Sequence, residues 1–149
     1  MFKSIIKILA ITALTLFLSS CEKKISHEHD KMHWDRDMCE RCKMVVSERN
    51  HAAQVINPQT GQSHKFDDIG CIVLWFKEEN ITWKDTAKIW ITDVKTSKWI
   101  NARTAYYDNL HITPMAYGFS ANEKKESIKE GSEVISFDEM VKRVEKMAR

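Results

Sequence analysis

The sequence predicts an α+β fold in which antiparallel strands are covered on one side by helices. Three observations lead there. Short strand-like runs, His51 to Asn57, Ser63 to Phe66, and Lys88 to Val94, are separated by turn-forming residues. Two segments carry apolar side chains at helical spacing, and each follows a strand-like run. Phe66-Asp67-Asp68-Ile69 also resembles Phe137-Asp138-Glu139-Met140, a weak repeat hinting at two related strand-strand-helix halves.

The first twenty residues read as a lipoprotein signal peptide. Lys3 and Lys7 precede an apolar stretch from Ile8 to Ser20, and Leu18-Ser19-Ser20-Cys21 closes it with small residues before a cysteine. The apolar run is shorter than the ~20 residues a spanning helix needs. Cleavage before Cys21 leaves a thiol and an amine for acylation, so Cys21 is expected to be the lipid anchor and no metal ligand. Residues 21–36 are then the lipidated cysteine and a polar, His-rich tether, with 37–149 as the folded domain. Its length suits one compact domain. Tether residues His27, His29, Met32 and His33 are expected at most to collect metal loosely.

Within the domain, Asn57-Pro58-Gln59-Thr60-Gly61 is a turn joining the first two strands into a hairpin. Asp67 or Asp68 caps a helix with Ile69, Ile72, Val73 and Phe76 at i, i+3, i+4, i+7, and Cys71, Leu74 and Trp75 widen its apolar surface. Lys88 to Val94 places Ile89 and Ile91 on one face, and Trp99 to Ala102 pairs with it across Lys95-Thr96-Ser97-Lys98. Pro114 to Ala121 is expected to be a strand with Met115, Tyr117 and Phe119 on one face and Ala116, Gly118 and Ser120 on the other. Ser136-Phe137-Asp138-Glu139 is a capping box, with Ile135 and Met140 as its hydrophobic staple.

Removal of the signal peptide leaves Lys+Arg and Asp+Glu balanced at 21 each. Without a net positive field, nucleic acid is not an expected partner. Setting Cys21 aside leaves three cysteines, Cys39, Cys42 and Cys71, which a disulfide framework cannot use completely.

Met38-Cys39-Glu40-Arg41-Cys42-Lys43-Met44 carries the chemistry. Two thiols at Cys-x-x-Cys spacing can reach one ion, and a thioether follows two residues later. A site mixing thiolate with thioether is soft and selects Cu(I) over harder ions. Methionine sulfur binds without losing a proton, which keeps the site's net charge low enough for release. Haem attachment is excluded, because Lys43 stands where histidine must follow the second cysteine. A thiol-disulfide oxidoreductase using Cys39 and Cys42 is the main rival, although no buried strand precedes the pair. A structural zinc site recruiting Cys71 lacks a second Cys-x-x-Cys half. A Cys39–Cys42 disulfide would close a short, strained loop. Cys71, within an apolar helix, reads as a buried thiol and a reserve ligand. Read alone, Met115 is expected to be a core residue, the commoner fate of methionine, with a ligand role as the alternative.

These motifs resemble those of the NosL family, copper-binding lipoproteins that assist maturation of nitrous oxide reductase. The likeness runs through Cys39-x-x-Cys42-x-Met44, Phe66-Asp67-Asp68-Ile69-Gly70-Cys71, Asp93 with Trp99-Ile100-Asn101-Ala102, and Pro114-Met115 with Gly118. It implies two fused strand-strand-helix-strand halves and a Cu(I) chaperone, not an enzyme, on the periplasmic side of a bacterial membrane, inner or outer. It also implies delivery to apo-nitrous oxide reductase with an ABC-type membrane complex. Cys39, Cys42 and Met115 are the ligands it implies, with Met44 a ligand or a lid. Lys43 departs from the family's usual glycine, and the His-rich tether is not a family hallmark.

Overall fold

The computed structural model describes residues 25–148, so the signal peptide and Cys21 lie outside the described residues. The elements in order are β1 (Ala53–Ile56), β2 (Ser63–Phe66), α1 (Ile69–Glu78), β3 (Lys88–Thr92), β4 (Trp99–Asn101), β5 (Tyr106–Asp108), β6 (Ser120–Asn122), a 3-10 turn (Lys125–Ser127) and α2 (Phe137–Met147). Strands β2-β1-β3-β4 form one antiparallel sheet, and β5-β6 form a separate antiparallel ribbon. The fold is α+β, as the patterning predicts. Among the described residues no helix is long and apolar enough to cross a membrane.

The hairpin turn works through Asn57, whose side-chain oxygen accepts from the backbone N–H groups of Gln59 and Thr60, while Gly61 takes a φ of 71°. In β3, Ile89 and Ile91 are buried as alternation requires. Asp93 closes the following turn: its carboxylate accepts from the N–H groups of Lys95, Thr96 and Glu123 and from the Thr96 hydroxyl. The Glu123 bond, with the Val94 N–H to Ala121 carbonyl bond, ties the sheet to the ribbon. The ribbon is seated by Tyr107, whose ring is fully buried and whose hydroxyl donates to the Ala102 carbonyl at 2.7 Å.

The outer face of the sheet corrects the tether reading. Lys65, Gln54 and Trp90 form one cross-strand row over β2, β1 and β3. Trp90 Nε1 donates to the His27 carbonyl, Gln54 exchanges two hydrogen bonds with the backbone of Asp30, and Lys65 Nζ donates to the Lys31 carbonyl. His29 stacks on Trp99, and Met32 is buried. Residues 25–36 are therefore a strap across the sheet rather than a solvated linker. Its polar composition misled because backbone groups, which composition does not reveal, make most of the contacts. The strap also explains Gln54, a wholly buried amide in an otherwise apolar β1.

The second correction concerns Pro114 to Ala121. Only Ser120–Asn122 is strand, and the residues before it form a turn in which Ala116 and Gly118 take φ values of 58° and 79°. Met115, Tyr117 and Phe119 therefore do not share a strand face. Polar side chains set this geometry, because the Thr113 hydroxyl accepts from Gly118 N and donates to Asp68. In the capping box, Ser136 accepts from Glu139 N and the staple residues Ile135 and Met140 are buried, but Glu139 pairs with Arg143 one turn on.

Candidate metal centre

Three segments converge at one end of the sheet. Cys39 and Cys42 lie on a tight turn in which Cys39 N–H donates to the Met44 carbonyl and Lys43 N–H returns to the Cys39 carbonyl. Lys43 closes this turn with a φ of 59°, the left-handed conformation that glycine enters freely. The Glu40 N–H donates to the Lys65 carbonyl at 2.7 Å, pinning the turn to β2. Phe66 ends that strand, and Asp67 and Asp68 lead directly into α1, which carries Cys71 in its first turn.

One donor atom from each of Cys39, Cys42, Asp67 and Cys71 lies within 4.8 Å of all the others. Cys39, Cys71 and Asp67 are buried, and Cys42 is half-buried. The Cys42 thiol donates to the Asp67 carboxylate, with Sγ 3.4 Å from Oδ2. A hydrogen bond from Cys71 lowers the Cys39 thiol to about 6, which makes Cys39 the sulfur of the cluster that ionises first. The same bond, with burial, pushes the Cys71 thiol up. Burial pushes Cys42 up to about 12. A cation binding all three sulfurs must displace the protons that Cys42 and Cys71 hold more tightly than Cys39 does.

Asp68 organises the other side. Its Oδ1 accepts from Gly70 N, the helix cap, while Oδ2 accepts from the Thr113 hydroxyl at 2.6 Å and from Met115 N–H at 3.1 Å. One buried carboxylate therefore fastens the Met115 loop to the helix that carries Cys71. Tyr117 makes a second fastening. Its ring lies where a Cβ on Gly70 would sit, 2.2 Å from that position, and its hydroxyl accepts from Arg41. Arg41 in turn makes a bidentate pair with Glu78 at 2.8 and 2.7 Å, so it joins the thiol turn, the end of α1 and the Met115 loop.

Residues 31–143 match the family model described as NosL. The chain belongs to the NosL family. Its fold is similar to a crystal structure of the copper chaperone NosL from Shewanella denitrificans, with a TM-score of 0.62 at 14% identity, covering 74% of this chain and 94% of that one. No curated protein matches the chain by sequence. Lys43 occupies a left-handed backbone conformation that a glycine would adopt without strain.

The structure brings the expected pair, Cys39 and Cys42, to one point together with Cys71, which patterning read as a buried thiol and a reserve ligand. Met115 is half-buried on the loop bound to Asp68. Met44 is exposed at the rim of the thiol turn. Asp67 was missed as a donor. Its signal was present: one aspartate suffices to cap the helix and Asp68 takes that role, which leaves the adjacent Asp67 carboxylate for the thiols.

Proposed function

We propose that this protein is a periplasm-facing metallochaperone, anchored through Cys21, that receives Cu(I) at the sulfur cluster and passes it to an apo-enzyme. Nitrous oxide reductase and its ABC-type maturation complex are the acceptors its family suggests. The observation that carries the reading is the convergence of three thiols, from a loop and a helix, within 4.8 Å of one another. Thiolate donors suit a soft monovalent ion. The copper-chaperone function of the similar Shewanella denitrificans protein supports the same cargo.

In this reading Cys39 makes the first bond, because it ionises first. Cys42 and Cys71 follow as their protons leave, with Asp67 positioned to accept the one on Cys42. Met115, on the loop fastened to Asp68, supplies a thioether that exchanges without a proton. Cys42, the half-buried thiol, and Met44 at the rim face the side where an incoming sulfur or imidazole attacks. Transfer then proceeds by ligand exchange, never freeing the ion, and needs no catalytic step.

The test is titration of the reduced full chain in detergent against a Cu(I) competitor. One tightly held equivalent is expected, lost in Cys39→Ser/Cys42→Ser and weakened in Met115→Leu. Near-stoichiometric binding by the double variant sinks the assignment. The lowered Cys39 thiol also suits the rival thiol-disulfide reading, which predicts reductase turnover that survives Met115→Leu.

A further inference from the structure

At the start of the segment that leads to Met115 lies a group of nitrogen and oxygen donors that the sulfur site does not use. His51, just before β1, is 9% exposed, and its Nδ1 is buried without a hydrogen-bond partner among the described residues. Its ring centroid is 6.4 Å from that of His111, on the loop after β5. Two imidazoles sharing one ion through ~2 Å bonds have centroids roughly 5–6 Å apart. The side chain of His111 is 45% exposed, so a modest rotation closes the difference.

The surroundings are those of a held ligand. Asp108, at the end of β5, is buried, and its Oδ1 lies 3.8 Å from His111 Nε2. A carboxylate on one ring nitrogen leaves the other for a metal, the usual arrangement behind a ligating histidine. Asp108 is itself fixed: Oδ1 accepts from Leu110 N, and Oδ2 accepts from the Asn122 side-chain amide at 2.8 Å. Next to it in the ribbon, Ser120 Oγ and Asn122 Oδ1 are also buried without partners. Burial lowers the pKa of the His51 ring and so favours the neutral imidazole that a metal needs, while the carboxylates of Asp68, Glu48 and Asp108 act on it in the opposite sense.

We infer that His51 and His111, backed by Asp108, form a second metal site for divalent copper, separate from the sulfur cluster. Imidazole with carboxylate is the harder donor set, and among first-row divalent ions copper binds such sets most tightly. The two sites differ in softness and are linked by one loop: His111 lies four residues before Met115, and Asp68 holds the Met115 N–H while its charge reaches His51. One loop therefore serves a monovalent site at one end and a divalent site at the other.

The experiment uses the full chain in detergent, with one equivalent of Ag(I) added to occupy the sulfurs without redox chemistry. One equivalent of Cu(II) follows, and the electron paramagnetic resonance spectrum is read. The expected result is one bound Cu(II) per chain with coupling to two imidazole nitrogens. That signal is unchanged when His27, His29 and His33 are replaced together by alanine, and its two-nitrogen pattern is lost in His111→Gln. Asp108→Asn weakens binding by about tenfold. His111 sits on an exposed loop, so its variant reports on binding even if His51→Gln fails to fold. The inference is overturned if no Cu(II) binds, if the two-nitrogen pattern survives His111→Gln, if it disappears with the three strap histidines, or if equimolar Zn(II) displaces the copper.

Discussion

The two helices are nearly equal in length and opposite in character. Seven of the ten residues of α1 are buried, whereas α2 buries only Met140 and Val144 of its eleven. The exposed face of α2 carries charges that satisfy one another, as Arg143 does with Glu133 and Glu139. Such surface pairs contribute little to stability. α1 has no comparable wet face, so the polar groups at its start are enclosed and find partners in other segments. Asp68 reaches the Met115 loop, Asp67 reaches Cys42, and Cys71 reaches Cys39. The buried helix thus becomes the hub of the candidate metal centre, while the amphipathic one closes the core. Perturbing the start of α1 should alter metal binding, and perturbing the start of α2 should alter stability alone.

The largest expected effect is from Gly70→Ala. A Cβ there would stand 2.2 Å from the Tyr117 ring, so either the ring or the helix must move. We expect a loss of about 3 kcal/mol from overpacking. Calorimetry would measure it, and the Met115 loop should be released with it. Ser136→Ala at the start of α2 is the matching control: about 1 kcal/mol lost with the cap and no change in Cu(I) affinity. Equal effects of both variants on copper would erase the contrast between the helices.

Asp68→Asn is the sharper probe, because asparagine caps helices as well as aspartate does. It also accepts only through one oxygen, so it cannot keep both Gly70 N and Met115 N–H bonds on separate oxygens. Helix content should hold by circular dichroism while Cu(I) affinity falls about 10- to 100-fold. Unchanged affinity would mean that Asp68 matters for folding alone.

The thiols make a pH prediction whose sign follows from their direction. Cys39 ionises first, at about 6, while Cys42, pushed up to about 12, and Cys71, also raised, hold their protons more tightly. Each further thiol bound releases one proton, so Cu(I) affinity should rise with pH between 7 and 9 by on the order of tenfold per unit for each. Competitor titrations at three pH values would show it. A flat profile would leave Cys39 as the only thiolate ligand, with neutral donors completing the site.

Much of this was legible in the sequence. The hairpin around Asn57 and Gly61, the alternation of Ile89 and Ile91, and the Ser136 cap are local signals, and each appears as read. Cys39 and Cys42 were legible for the same reason, because their spacing alone brings them together. What was hidden depends on partners far apart in the chain. The strap is held by backbone carbonyls of His27 and Lys31, and no side-chain pattern announces that. The Met115 loop looked like a strand because Thr113 and Asp68, 45 residues apart, fix its turn. Asp67 looked like a capping residue, and Cys71 like a buried thiol with ligation held in reserve, because each side-chain type serves those roles more often.

The smallest effect isolates the backbone of the thiol turn from its sulfurs. Lys43 holds a φ of 59°, and its side chain has no close partner, the nearest carboxylate oxygen being on Glu40 at 3.8 Å. Removing its Cβ relieves left-handed strain of about 1 kcal/mol, partly offset because glycine gains freedom in the unfolded chain. Lys43→Gly should therefore raise the melting temperature slightly, by chemical or thermal denaturation of the metal-free protein. The lysine charge is exposed, so its loss should leave Cu(I) affinity nearly unchanged at physiological ionic strength. A large fall in affinity would instead show that the cation helps hold the thiolate of Cys39, and the site would then owe part of its charge balance to an exposed lysine on the thiol turn.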